Sequence, residues 1–185
     1  IEIVMEESAR VLAKGGILAL NITEIHDFKE KMKNSKTPHI KLMAHRYQEW
    51  LEENGVMLAG QIVWVKDSGS KADEDKTSGR DSILNQHEFI YIFRKNGERK
   101  APSEEAASKS VLTKDERNQY FRSVWTIPPV EKMEGHPAVS PDELARRIVK
   151  MYSFTGDTVL DPFLGSGTTC KAAQELGRRA IGYER

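Results

Sequence analysis

An acid and a proline, Asp161-Pro162, stand before Phe163-Leu164 and a run of small and hydroxylated residues, Gly165-Ser166-Gly167-Thr168-Thr169. A second acid, Glu184, lies about twenty residues beyond the glycines, the spacing at which a carboxylate accepts from two ribose hydroxyls. Glycines let a backbone approach a ligand closely, and a helix start offers unpaired N–H groups. Together these residues describe a pocket for a nucleotide-type cofactor. A phosphate-binding P-loop needs Gly-Lys-Ser/Thr, and no lysine follows Gly167. A dinucleotide loop wants a third glycine where this chain has Cys170. Asp161 would repel a pyrophosphate and suit a cation. S-adenosylmethionine, with its sulfonium, ammonium and ribose diol, fits better. An ordinary strand–turn–helix with a tight packing loop is the competing reading.

The elements that must position these residues are legible around them. Thr158-Val-Leu160 reads as a short strand leading into Asp161, a helix begins near Thr168, and Ala180-Ile-Gly-Tyr183 is a second strand ending at Glu184. Sites in open parallel sheets form at the carboxyl ends of such strands. Upstream, Ser140-Pro-Asp-Glu143 predicts a helix start with a capping box, and Leu144, Ile148, Met151 and Tyr152 supply its apolar stripe. Glu2 to Lys14 reads as a helix with Val4, Ser8, Val11 and Leu12 on one side, ended by Gly15-Gly16. Ile17 to Ile22 is a nearly continuous apolar run expected of a buried strand, with Asn21 and Thr23 at its carboxyl end. Met43, Tyr47, Trp50 and Leu51 recur at helical spacing up to Gly55. Met57 to Lys66 and Glu88 to Arg94 read as two strands joined by a long polar excursion. Residues 25 to 39 are polar and basic and read as a solvated loop or helix face. Residues 96 to 119, rich in charge and poor in apolar residues, predict a linker or short recognition segment without a core of its own.

At 185 residues and 21.0 kDa the chain is long enough for one domain with a real core. Formal net charge is zero and the pI about 7.2, so any nucleic-acid contact must come from local patches. The single cysteine, Cys170, excludes an intrachain disulfide and fits a reducing compartment; a small packing residue is its expected role. No apolar run approaches membrane-spanning length. The chain opens on Ile1 rather than methionine, which predicts a cut N-terminus.

Asp161-Pro-Phe-Leu-Gly-Ser-Gly-Thr-Thr169 resembles the cofactor loop of the amino-methylating DNA methyltransferases, which modify adenine N6 or cytosine N4. His136-Pro-Ala-Val-Ser-Pro141 ahead of a helix, Trp64-Val-Lys66, His87-Glu-Phe-Ile-Tyr91 and Arg10-Val-Leu-Ala-Lys-Gly-Gly16 match further segments of that family in order. A cofactor loop so late in the chain is similar to the permuted beta group. The resemblance implies an α/β, Rossmann-like three-layer methyltransferase fold with a mostly parallel sheet, incomplete in this chain. It divides the chain into a catalytic half (1–95), a linker or short target-recognition segment (96–122) and a cofactor-binding half (123–185). It implies methyl transfer from S-adenosylmethionine to an exocyclic amine of duplex DNA after base flipping, in a restriction–modification setting in the cytoplasm. His136-Pro-Ala with Pro141 leans toward cytosine N4.

Carried over residue by residue, Asp161, Pro162 and Phe163 would line the methionine and adenosine side. Gly165, Ser166 and Gly167 would give backbone approach, and Thr168 and Thr169 would bond polar groups or cap the helix. Glu184 would bind the ribose, and His136 and Pro137 would flank the methionine end. Lys29, Lys31, Lys33 and Lys36 are candidates for phosphate contacts. No metal ligands are expected. The family's catalytic motif, Asp, Ser or Asn before Pro-Pro and an aromatic, is absent. The only Pro-Pro, in Thr126-Ile-Pro-Pro-Val130, offers neither an acceptor nor a stacking ring and reads as a structural turn. The catalytic residues are therefore expected upstream of Ile1, and residues 1–185 alone are expected to be inactive. A non-catalytic remnant that binds cofactor or DNA, and a nicotinamide-dependent dehydrogenase, are the alternatives.

Overall fold

A computed structural model describes residues 2–22, 25–27, 39–41, 43–66, 86–130 and 140–184. By its contacts the chain divides into two units, Ile1–Val63 with His87–Glu98, and Trp64–Gln86 with Arg99–Arg185.

In the first unit, helix α1 (Glu2–Val11) leads to strand β1 (Ile17–Ile22), and a short antiparallel pair, β2 (Ile25–Asp27) and β3 (His39–Lys41), precedes helix α2 (Met43–Glu53). Strand β4 (Val56–Val65) follows, and β5 (His87–Lys95) lies between β1 and β4. β1 and β5 run antiparallel, Ile17 opposite Arg94 through to Ile22 opposite Phe89. Met5 and Ala9 of α1 and Tyr47 and Leu51 of α2 bury their side chains with Val56 and Phe93. Apolar residues at i, i+4 and i+7 define the inward face of a helix, and here these are Met5 and Ala9 of α1 and Leu12 just beyond its end. The expected stripe through Val11 is therefore rotated: Val11 is exposed. Lys95 ties the end of α1 to the sheet, its Nζ donating to the carbonyls of Ala9 at 2.7 Å and Leu12 at 2.8 Å. A cation among the last carbonyls of a helix satisfies orphan acceptors and opposes the dipole. Residues 25 to 39 read as loop or helix face, yet both ends of that stretch are strand.

In the second unit, β6 (Val124–Thr126) lies beside the last residues of β4. The Trp64 indole donates to Ile127 O at 2.8 Å, and Ile127 N donates to Val65 O at 3.2 Å. The segment leading into Pro128-Pro129 is thus a structural anchor, as the sequence indicates. Residues 96–119 hold two short helices, α3 (Glu104–Lys109) and α4 (Lys114–Tyr120). Each owes its start to a cap that apolar periodicity does not reveal. Ser103 Oγ accepts from Ala106 N. Thr113 and Glu116 form a full capping box, Thr113 Oγ1 accepting from Glu116 N at 3.1 Å and Glu116 Oε2 from Thr113 N at 3.0 Å.

Helix α5 (Asp142–Tyr152) buries Leu144, Ala145 and Val149. The capping box expected at Ser140 is not made. Pro141 is itself the N-cap, with φ −59° and ψ 137°, so Glu143 lies only two residues inside the helix. It accepts instead from Arg147 Nε at 2.8 Å. The Arg147 guanidinium lies 5.2 Å from the rings of both Tyr120 and Trp125, which docks α4 and β6 on α5.

Strands β7 (Thr158–Asp161) and β8 (Arg179–Gly182) pair in parallel, Thr158 opposite Arg179 and Asp161 opposite Gly182. Helix α6 (Thr168–Glu175) connects them and packs Ala172 and Ala173 into the interior. Buried Arg178 staples the strand entrances, Nη2 donating to Ser153 O at 2.7 Å and Nε to Ser153 Oγ at 3.0 Å.

Candidate functional site

The site is the loop between β7 and α6, at the carboxyl ends of two parallel strands. Tyr183 N donates to Asp161 O at 3.0 Å, extending the β7–β8 ladder by one residue. Asp161 then turns the chain, its Oδ1 accepting from Phe163 N at 3.0 Å. That bond makes an Asx turn at the proline. Leu164 N returns to Tyr183 O at 2.9 Å, and Gly165 N donates to Glu184 Oε2 at 2.6 Å. The loop that carries the glycines is thus tied to the acid at the end of β8. Only one oxygen of Glu184, Oε2, is taken by the loop backbone.

Gly165 and Gly167 adopt φ of 52° and 84°, the left-handed region where a side chain is disfavoured. Gly167 is the N-cap of α6 and contributes no side-chain cap, so the N–H groups of the first turn keep their donors. Of the two roles expected of Thr168, bonding a polar group or capping the helix, its position gives the first. It is the first helical residue, nearly buried, and its Oγ1 lies 3.1 Å from Ser166 Oγ. Thr169 also lies inside the helix rather than at its cap.

Phe163 is 54% and Tyr183 65% exposed, so two rings flank the strand ends. Cys170 is half-buried, and burial with the nearby Asp161 charge pushes its thiol up from the ordinary range. That agrees with a packing role and not with a nucleophile. Among the described residues no cluster of His, Cys, Asp and Glu is arranged for a metal ion.

Two residues that support the loop, Gly182 and Leu164, do not emerge from the sequence as site residues. A Cβ at Gly182 would stand 2.5 Å from Leu164 Cδ1, so β8 has no side chain where the loop folds over it. A glycine inside an apolar strand is the available signal. The structure brings together Asp161, Pro162, Phe163, Gly165, Ser166, Gly167, Thr168, Thr169 and Glu184. His136, Pro137, Lys29, Lys31, Lys33 and Lys36 lie outside the described residues.

This arrangement can hold a cationic nucleoside. Two carboxylates stand at the strand ends, the first turn of α6 has no side-chain cap on its N–H groups, and apolar rings stand beside them. A family model described as DNA methylase matches residues 1–185.

The chain belongs to the DNA methylase family.

Members resemble it along nearly its whole length. It is 38% identical to the Type II methyltransferase M.MjaI of Methanocaldococcus jannaschii, over 98% of this chain and 61% of that protein. It is 36% identical to the Type II methyltransferase M.MthZI of Methanothermobacter thermautotrophicus, over 100% of this chain and 54% of that protein. The chain therefore spans little more than half the length of these curated relatives. A solved structure of TTHA0409 from Thermus thermophilus, complexed with S-adenosyl-L-methionine, superposes with a TM-score of 0.80. That match is 32% identical and covers 99% of this chain and 69% of the other. The family's Rossmann-like α/β methyltransferase fold is thus the fold of this chain.

Proposed function

We propose that the protein carrying this chain is an S-adenosylmethionine-dependent DNA methyltransferase of restriction–modification type. It acts on an exocyclic amine, cytosine N4 before adenine N6. The observation that carries this reading is the Asp161–Gly167 loop clamped to Glu184 and Tyr183 at the carboxyl ends of β7 and β8. Family membership and the cofactor complex of TTHA0409 support it.

S-adenosylmethionine, when bound, supplies a methyl group on a sulfonium. The residues present fit it. Asp161 sets negative charge beside the loop, which favours a sulfonium and an ammonium and disfavours a pyrophosphate. The free oxygen of Glu184 accepts from the ribose diol, and Phe163 offers an apolar face to the adenine. The open N–H groups after Gly167 and the bare backbone at Gly165 bring the main chain up to the ligand. His136 and Pro137 are proposed to flank the methionine end. Residues 1–95 are proposed as the catalytic half, residues 96–122 as a linker or short target-recognition segment and residues 123–185 as the cofactor half. The acceptor motif for the target amine is proposed to lie in the part of the protein outside residues 1–185. The target base leaves the duplex, Lys29, Lys31, Lys33 and Lys36 contact phosphates, and the protein works in the cytoplasm.

Calorimetry and nucleoside analysis test the reading on the full protein. S-adenosylmethionine should bind. Glu184→Ala should weaken it by about 1.5–3 kcal/mol, the worth of a hydrogen bond to a charged group. DNA incubated with enzyme and cofactor should yield N4-methylcytosine. N6-methyladenine would overturn the choice of base, and no methylated base would overturn the transfer. A dehydrogenase would bind a nicotinamide cofactor instead.

A further inference from the structure

Helix α4 turns Glu116 inward and its cations outward. Glu116 closes the capping box with Thr113 and also pairs with Lys150 of α5. Tyr120, one turn further, is buried beneath Arg147. The opposite side carries Lys114, Arg117 and Asn118, continues through Phe121 and Arg122, and is exposed throughout. Arg122 Nε donates to Asn118 O at 2.9 Å, which holds that guanidinium against the end of the helix. Among the described residues neither Lys114 nor Arg117 has an ion-pair partner.

Arg117 and Phe121 also border an open cleft of about 290 Å³ with Arg99, Val111, Leu112 and Lys150. Arg99 is paired with Asp157 at 2.6 Å and Lys150 with Glu116, so Arg117 is the cleft's unbalanced charge. Phe121 is 58% and Val111 70% exposed, an apolar pair set beside that cation. The nearby acid without an ion pair on α4 is Asp115, on the flank of the stripe.

We propose that this face of α4 is a contact surface for the sugar–phosphate backbone of duplex DNA. The inference rests on the DNA methyltransferase reading above. Charge complementarity selects the occupant. From Lys114 to Phe121 the face extends about 10 Å at 1.5 Å per residue, beside a duplex that carries one charge per about 1.7 Å. Lys114, Arg117 and Arg122 meet phosphates, and Phe121 and Val111 pack against deoxyribose. The chain as a whole has no net charge. Affinity must therefore come from local groups of cations, and on this face they are left free because the neighbouring acid Glu116 is committed to a cap and an internal pair.

The test is DNA binding by the full protein, read by anisotropy of a labelled duplex at several salt concentrations. In the variant Lys114→Gln/Arg117→Gln/Arg122→Gln the slope of log K against log salt should fall by about 0.9 for each phosphate no longer neutralised. S-adenosylmethionine affinity, read separately by calorimetry, should be unchanged. Asp115→Asn should tighten DNA binding. An unchanged slope in the triple variant, with cofactor binding and methylation intact, overturns the interface and leaves the enzyme reading standing. Unchanged DNA binding with an altered mass by light scattering overturns it in favour of a contact with a second copy. A wild-type protein that binds neither cofactor nor DNA removes the reading on which the interface rests.

Discussion

At the scale of single residues, Gly182 decides the shape of the loop. Its missing side chain lets Leu164 fold onto β8, and Leu164 N then reaches Tyr183 O. Gly182→Ala puts a methyl within 2.5 Å of Leu164 Cδ1. Overpacking of this kind costs about 1–3 kcal/mol. The loop must lift, and the clamp from Gly165 N to Glu184 loosens with it. Thermal melting should show the loss of stability, and calorimetry should show weaker S-adenosylmethionine binding. Adding Leu164→Ala should recover much of the stability, because two substitutions at one contact are not additive. Recovery absent from the double variant would place the effect elsewhere.

At the scale of elements, α4 is held on α5 by the Lys150–Glu116 pair and the Arg147 stack. Hydrogen bonding from Lys150, then from the Thr113 N–H, holds the Glu116 carboxyl below the usual carboxylate range. A carboxyl depressed in the folded state stabilises the fold above its unfolded value, about 4.3. That stabilisation disappears as pH falls through the folded value. Melting temperature should therefore decline below about pH 4.3, and part of the decline should vanish in Glu116→Gln. A variant with the same acid limb as the wild type would show that the pair contributes nothing. The pair is half-buried, which keeps the expected effect modest.

At the scale of the whole molecule, the described residues cover the β7–β8 pair on one side only. Burial alternates along both strands, with Val159 and Ala180 half-buried while Leu160 and Ile181 are exposed. Leu160 is 36% and Ile181 46% exposed, and Phe163 and Tyr183 extend the same apolar surface toward the strand ends. A two-stranded ribbon needs a further layer or strand for independent stability, and contiguous apolar surface of this kind marks an interaction site or an aggregation liability. Residues 1–185 by themselves should bind a hydrophobic dye and self-associate with rising concentration in sedimentation. A strictly monomeric, dye-free species would show that this face is tolerated in water. Among the described residues no helix is long and apolar enough to cross a membrane.

The sequence by itself determined the loop, the acid at the end of β8 and the strands around them, because close backbone approach demands glycine and the acid's spacing beyond the glycines is read from residue types alone. It also located β1, α2, β4 and β5, whose apolar periodicity is strong. Only tertiary structure decided which side of α1 is buried, since Met5 and Val4 are both apolar and the choice between them is made by Tyr47 and Phe93. The start of α5 differs from the expected one, because Pro141 sits outside the helix and moves Glu143 off the capping position. Helices α3 and α4 are hidden in the sequence by their charge. Both start at side-chain caps, and α4 is also held by Arg147, which meets Tyr120 and Trp125 across more than twenty residues of chain. The use of Glu184 as acceptor for Gly165 N is equally invisible. A hydrogen bond between a loop and a strand end depends on where both lie in space, and spacing along the chain does not encode it.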